Sequence, residues 1–335
     1  MKILVTGGAG FIGSHFTRSL LDGRYPGFED CHVTVIDKLT YASDRRSLPA
    51  RHPRLTFVYG DICDGALLAE VVPGHDAVAH FAAESHVDRS IADPAPFFET
   101  NVMGSHMLMA ACARAAVGRV VHVSTDEVYG SITDGSWTER CLLEPNSPYA
   151  ASKAASDCVV RSYWRTFDVD VSITRCANNY GPYQHVEKVI PRFVTSLLTG
   201  GDITLHGDGS AVREWLHVDD HCRAIALVLE KGRAGEVYNI GGDVELTNQA
   251  LAEQILRLAG AGWDRVRHVA DRAVQDQRYS LDFTKIREEL DFAPRVRFVD
   301  GLTEVFHWYR DNPSWWMPER EEPRPAAALV GAGRP

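Results

Sequence analysis

Short apolar runs alternate with helical periods through the first half of the chain. Lys2–Thr6, His32–Asp37 and residues 55–60, 77–81, 119–124 and 169–175 are runs rich in Val, Ile, Leu and Ala, and they read as buried strands. Phe11–Leu21 and residues 94–116 and 147–166 read as helices, with Phe11, Ile12, Phe16, Leu20 and Leu21 on or near one face of the first. Continuous apolar strands separated by helices predict a parallel sheet covered on both faces, the doubly wound α/β class that binds dinucleotides. After about Cys176 the rhythm loosens. Residues 178–211 are rich in Gly, Pro, Asn and Tyr, with one helical stretch near 191–198. Residues 236–240 look like a late strand returning to the sheet, and 246–259 and 301–310 like helices of a smaller domain. The expected division is a nucleotide domain over 1–175 with that return strand, a mainly substrate-binding domain over 176–318, and a disordered tail over 319–335, where three prolines lie among Ala, Gly and charges.

Charge narrows the partners. The 335 residues carry 45 Asp and Glu against 35 Lys and Arg, a formal net charge of −10. That balance argues against a nucleic-acid surface, and it requires an anionic substrate to be held by a few placed cations. Seven cysteines without C-x-x-C spacing read as reduced thiols in a cytoplasmic protein. The first residues form a strand, not a charged segment with an apolar run behind it, so no signal peptide is expected. No apolar run is long enough for a membrane span.

The chemistry concentrates at strand ends. Gly7-Gly8-Ala9-Gly10-Phe11-Ile12-Gly13 follows the first strand and opens the first helix, a G-x-x-G-x-x-G variant of the dinucleotide fingerprint. Gly7 permits the tight turn, Gly10 admits the pyrophosphate to the backbone, and Gly13 lets the helix pack on the sheet. Asp37 ends the second strand roughly twenty residues beyond, where a carboxylate bonds ribose hydroxyls and favours NAD over NADP; Lys38 beside it leaves NADP open. Asp61 stands at the next strand end, near adenine or simply in a solvated turn. Tyr149-Ala-Ala-Ser-Lys153 puts a phenol and an ammonium one helical turn apart, on one face. The ammonium and an oxidised nicotinamide are expected to lower the phenol's pKa, so that phenolate removes a hydroxyl proton as hydride leaves. The strand at 119–124 runs into Thr125-Asp126-Glu127. Thr125 is placed to bond the reacting hydroxyl. Two adjacent acids in an apolar setting converge on one ligand only where the chain leaves the sheet, and there one acts as acid and the other as base. A helix cap is the plainer alternative.

Taken together, the glycine motif, His80-Phe-Ala-Ala-Glu-Ser-His-Val-Asp-Arg-Ser90, Ser124-Thr-Asp-Glu-Val-Tyr-Gly130, Ser147-Pro-Tyr-Ala-Ala-Ser-Lys153 and Asn178-Asn-Tyr-Gly-Pro-Tyr183 resemble the dTDP-glucose 4,6-dehydratases. These are Rossmann-fold enzymes of the extended short-chain dehydrogenase/reductase superfamily, and the likeness is to members serving deoxysugar pathways of secondary metabolites. It runs from Met1 to about Trp316. The resemblance implies bound NAD, the substrate dTDP-glucose, a cytoplasmic homodimer packed through the 94–116 and 147–166 helices, and no metal. It implies that Tyr149, with Lys153 and Thr125, deprotonates the 4-hydroxyl, that Glu127 takes the C5 proton, and that Asp126 protonates the departing 6-hydroxyl. By position it places Gly7, Gly10, Phe11, Ile12, Gly13, Asp37, Lys38, Thr40, Asp61, Ile62, Phe81, Ala82, Ala83, Ser85, Thr100, Tyr149, Lys153 and Asn179 at the cofactor. It places Ser85, Thr125, Asp126, Glu127, Asn178, Lys188, His206, Arg213, Asn248, Arg272, Gln275 and Tyr279 at the substrate.

One stretch departs from the pattern. The family reads Asp-Arg-Pro-Gly-His-Asp-x-Arg-Tyr where this chain has Asp271-Arg-Ala-Val-Gln-Asp-Gln-Arg-Tyr279. Losing Pro-Gly changes the turn, and Gln275 cannot carry a charge as histidine can. Nucleotide affinity and base preference are the properties this touches. His217-Val-Asp-Asp-His221 lacks the acid of a zinc helix and reads as structural. Two rivals stay open: a nucleotide-sugar 4-epimerase, against which Asp126 and Glu127 argue, and a catalytically silent NAD-binding module, against which Tyr149 and Lys153 argue.

Overall fold

The structure is a computed structural model that describes residues 1–270 and 276–317. In chain order the nucleotide-binding part contains β1 (Lys2–Thr6), α1 (Phe11–Leu21), β2 (His32–Asp37), β3 (Leu55–Tyr59), α2 (Gly65–Val71), β4 (Ala77–His80), α3 (Val87–Ala92), α4 (Ala95–Phe98), a π-helical turn (Glu99–Gly104), α5 (Ser105–Ala115), β5 (Arg119–Thr125), α6 (Pro148–Phe167) and β6 (Val171–Cys176). There follow β7 (Asn178–Tyr180), α7 (Val189–Leu198), β8 (Ile203–His206), β9 (Val212–His217), α8 (Val218–Lys231), β10 (Val237–Ile240), β11 (Val244–Thr247), α9 (Asn248–Ala259), β12 (Val266–Val269), α10 (Thr284–Leu290), α11 (Phe298–Asp311) and α12 (Pro313–Trp316).

Seven strands form one parallel sheet in the order β10-β6-β5-β4-β1-β2-β3. The order reverses between β1 and β4, and a ligand crevice opens there at the strands' carboxyl ends. Alternation divides each central strand between two cores. Ile3, Val5, Val33, Val35, Ala79 and Val121 face a layer containing α1 and α8, while Leu4, Ile36, Val78 and Val120 face α2, α5 and α6. A third core, built from α7, β8, α9 and α11, fills the C-terminal part.

Three departures from the expected elements have physical causes. The helix expected over 246–259 begins at Asn248, because the Thr247 side chain caps it by accepting the Ala250 N–H at 3.0 Å. Val244–Thr247 is instead a strand, antiparallel to β9. The helix expected over 94–116 is interrupted by the π turn, which sets the Asn101 side chain against Glu84 and Ser152. The long helix α8 was not foreseen; Val218, Cys222, Ile225 and Leu229 bury one face of it, and it packs on α1 beside the sheet. The return strand is β10, which pairs with β6.

Beneath β5 and β6 lies a buried ion pair. Arg175 Nε donates to Asp157 Oδ2 at 2.9 Å, with the two side chains 3% and 1% exposed. Burial pushes the Asp157 carboxyl up, but Arg175 and the His122 ring outweigh it and hold the group down at about 2. Asp157→Ala would strand the Arg175 charge and is expected to cost about 3–5 kcal/mol, read as a lower urea midpoint at neutral pH. Because the folded-state pKa is depressed, this stabilisation is present above the unfolded value of about 3.9 and fades as pH falls toward 2. The gap between wild type and variant should therefore narrow in acid; a constant gap would refute the assignment.

Candidate active site

The glycine turn is shaped for close approach. Gly7 has φ +68°, and a Cβ there would lie 2.6 Å from the Ala82 nitrogen. A Cβ on Gly13 would lie 2.3 Å from the Gly7 carbonyl, so this glycine seats α1 against the turn. The first residue of α1 follows Gly10, which supplies no side-chain cap, and no acid occupies the first turn. The amides at this helix start are thus left for an anion, and a dinucleotide pyrophosphate fits them. Asp37 braces the turn: its carboxylate accepts the Ala9 N–H at 2.9 Å and the Leu39 N–H at 2.8 Å. Lys38 reaches from β2 to Asp61 at 3.3 Å and to Thr100 Oγ1 at 3.0 Å, joining three walls of the crevice.

One cavity runs from this turn to the end of β5. Every residue expected at the cofactor lines it: Gly7, Gly10, Phe11, Ile12, Gly13, Asp37, Lys38, Thr40, Asp61, Ile62, Phe81, Ala82, Ala83, Ser85, Thr100, Tyr149, Lys153 and Asn179. Thr125, Asp126, Glu127, Asn178 and Lys188 line it as well. Asn178 brings a buried Oδ1 that has no partner within the protein, an acceptor suited to a ligand hydroxyl.

The acid pair sits where the chain leaves the sheet. Thr125 caps a 3₁₀ turn over Asp126–Tyr129, accepting the Glu127 N–H at 3.3 Å and donating to Asp126 Oδ1 at 3.2 Å. The cap is therefore Thr125, and the two acids are free of that task. Asp126 is 2% exposed, and its Oδ2 is buried without a partner. Burial, then the neighbouring Glu127 and Glu214, raise its pKa well above the usual carboxylate range. Burial therefore favours its protonated, donating form.

Tyr149 and Lys153 enter the same cavity from the first turns of α6. Lys153 donates to the Val123 carbonyl at 2.8 Å, and burial lowers its pKa to about 8. One expectation needs correction here. Burial, followed by the charge of Glu127, raises the Tyr149 phenol well above 10, with the Thr125 hydroxyl pulling the other way. In the protein alone the phenol is protonated; the lysine does not outweigh the loss of water around it.

The remaining expected residues are spread more widely. Arg213 lies over the Tyr279 ring at 4.6 Å; its charge pulls the Asp126 carboxyl down, and Glu127 in turn helps raise the Tyr279 phenol, though neither Arg213 nor Tyr279 lines the cavity. His206 pairs with the Ala270 carbonyl on β8, and Asn248 opens α9; neither lines the cavity. Arg272 and Gln275 lie outside the described residues. His221 Nδ1 meets Asn179 Oδ1 at 2.9 Å, and His217 caps α8. Two features went unnoticed in the sequence. Glu214, in β9, is 2% exposed and accepts the Gly242 and Leu281 N–H groups; burial pushes it up to about 8. Glu187 lines the cavity amid Tyr41, His86 and Arg89.

Residues 4–305 match the family model described as GDP-mannose 4,6 dehydratase. A dTDP-glucose 4,6-dehydratase from Streptomyces niveus is 56% identical over the whole of both chains, and one from Streptomyces antibioticus is 53% identical over 99% of this chain and 100% of its own. The crystal structure of DesIV, a dTDP-glucose 4,6-dehydratase from Streptomyces venezuelae with NAD and TYD bound, superposes with a TM-score of 0.94 at 61% identity, covering 95% of this chain and 99% of that one. A UDP-glucose 4-epimerase from Thermotoga maritima, with UDP-glucose, superposes with a TM-score of 0.86 at 30% identity, covering 93% and 99%.

The burial of Asp126 has a spectroscopic consequence. Difference infrared spectra at neutral pH should show a protonated carboxyl stretch that Asp126→Asn removes. A band unaffected by the substitution would mean that Asp126 is ionised.

Proposed function

The chain belongs to the GDP-mannose 4,6-dehydratase family, and we propose that its cavity carries out the dTDP-glucose 4,6-dehydratase reaction of its relatives. The substrate is dTDP-glucose, the product is dTDP-4-keto-6-deoxyglucose, the cofactor is NAD, and the reaction feeds deoxysugar biosynthesis. The supporting observation is the buried Asp126, its carboxyl pushed toward the protonated form, beside Glu127 in the cavity that holds Tyr149 and Lys153. Simple oxidation or epimerisation at C4 needs the phenol and lysine but no such pair.

NAD⁺, when bound, accepts hydride from C4 of the sugar and returns it at C6. The protein's own residues manage the protons. Thr125 and Tyr149 hold the 4-hydroxyl, and Tyr149, which would be phenolate once the positive charge of bound NAD⁺ is beside it, takes its proton while Lys153, fixed to the Val123 carbonyl, supplies further positive charge. The ketone acidifies the neighbouring C–H, and Glu127 removes the C5 proton. Asp126 gives its proton to the 6-hydroxyl, which departs as water. Glu127 then restores the proton at C5. Two carboxyls with opposed protonation states suit these two tasks.

Within this reading, Phe81, Ala82, Ala83, Ser85 and Thr100 flank the nicotinamide, Asn179 touches the cofactor, and Asn178 touches the sugar. Lys188 and Arg213 face the diphosphate as placed cations in an acidic protein. Tyr279, His206, Asn248, Arg272 and Gln275 belong to the nucleotide side, on the part of the chain after 176. The protein works in the cytoplasm as a homodimer packed through α4, α5 and α6, where Phe98 and Met103 are exposed. Among the described residues no helix is long and apolar enough to cross a membrane.

Incubation with dTDP-glucose should yield the 4-keto-6-deoxy product by NMR; a 4-epimer, or no conversion, would overturn the proposal. Glu127→Gln should block water loss while still permitting NAD⁺ reduction. Tyr149→Phe should lower kcat by roughly 10²–10⁴-fold, and a near-normal rate would remove the phenol from the first step. Sedimentation equilibrium should return twice the chain mass; a monomer would refute the dimer.

A further inference from the structure

We propose that Tyr41, His86, Arg89 and Glu187 form a strap across the mouth of the nucleotide cavity, and that it holds the cofactor in place between the two hydride transfers. This rests on the reaction proposed above for its purpose, but not for its geometry.

The four residues come from three separate loops. Tyr41 follows β2, His86 and Arg89 open α3 after β4, and Glu187 lies between β7 and α7. They meet at one carboxylate. Tyr41 donates its hydroxyl to Glu187 Oε1 at 3.2 Å. His86 Nε2 lies 3.5 Å and Arg89 Nε 3.6 Å from Glu187 Oε2. The Arg89 guanidinium also covers the Tyr41 ring at 3.6 Å, a cation–π contact that closes the cluster on itself. A second stitch joins two of the same loops, since Lys188 Nζ donates to the Ser85 carbonyl at 3.0 Å.

Its place explains its use. Glu187, Ser85 and Lys188 line the cavity, as do Thr40 and Ala42 on either side of Tyr41. The cluster therefore bridges the walls between which a dinucleotide must pass to leave. The Glu187 side chain is only 13% exposed, so its pairing is less screened than a surface contact. Burial and then Glu187 raise the Tyr41 phenol, which keeps it a neutral donor. The strap also touches the reacting end. His86 caps α3, and Ser90 on α3 accepts the Tyr149 N–H at 3.1 Å.

The chemistry requires such a hold. After the first transfer the cofactor carries the hydride that must return to the same sugar. Release at that stage would strand an oxidised, then unsaturated, sugar nucleotide with no electrons to complete the turnover. An ordinary dehydrogenase exchanges its cofactor in every cycle and gains nothing from such a strap.

The test measures NAD release from the purified protein, by trapping freed NAD with a scavenging enzyme, and NAD retained after gel filtration. Glu187→Ala should speed release by roughly ten-fold or more, as expected for losing charged hydrogen bonds, and should leave turnover dependent on added NAD. Tyr41→Phe removes one hydroxyl and should speed release by a smaller factor, which keeps the test decisive if Glu187→Ala fails to fold. Wild-type release rates in the folded variants would overturn the proposal. Release is read without turnover, so failure to convert dTDP-glucose would sink the assigned reaction and leave this result standing.

Discussion

A carboxyl group sealed from water beside a second acid cannot readily ionise, and that constraint governs the site. Asp126 is buried, one of its oxygens has no partner, and Glu127 and Glu214 both stand against a further negative charge. Holding the proton is the low-energy state. Glu127, one residue later on the turn, is the partly exposed member of the pair. Adjacent residues on a strand would have pointed to opposite faces; the 3₁₀ turn that Thr125 caps lets both reach one cavity. Their unequal burial is what the proposed division of labour between the two acids draws on.

The sheet supplies the remaining alignment. β5 ends at the acid pair, its Val123 carbonyl fixes Lys153, and the β1–β4 reversal opens the crevice beside it. Under this floor runs a buried polar chain from Thr6 through His80, Ser105, Ser156 and His122 to Asp157, Arg175 and Tyr129. Burial lowers the pKa of both histidines, to about 4 for His122 and well below the usual range for His80, so they serve as neutral links. The network ties α5 and α6 to the strands, while His122 Nδ1 and Asp157 Oδ1 are left buried without a hydrogen-bond partner.

Much of this was legible in the sequence because it depends on local pattern. The glycine turn, the six leading strands and the Tyr149–Lys153 spacing are each set by residues close together in the chain. The residues expected at the cofactor all reach one cavity because strand ends on one edge of a parallel sheet must converge. What escaped notice depends on distant partners. Glu214 gains its character from Gly242 and Leu281, and Glu187 from loops about a hundred residues or more earlier. Helix α8 did have a local signal in the spacing of Val218, Cys222, Ile225 and Leu229, but its two histidines drew attention to metal chemistry instead. Among the described residues no three His, Cys, Asp or Glu side chains gather as a cation site, and both histidines have partners inside the fold.

The phenol shows why a motif's spacing does not fix its electrostatics. Four residues of helix guarantee that Tyr149 and Lys153 share a face, yet desolvation disfavours the charged form of both and so moves their pKa values in opposite directions. The lysine loses some of its hold on its proton, and the tyrosine keeps its own more tightly. A phenolate in this cavity would also face Glu127, so lysine alone is a weak counterweight. The positive charge of an oxidised nicotinamide, brought in only with the cofactor, acts in the missing direction. In the proposed reaction, deprotonation of Tyr149 would thereby be tied to occupancy of the nucleotide site, and the base would form only with oxidised cofactor in place.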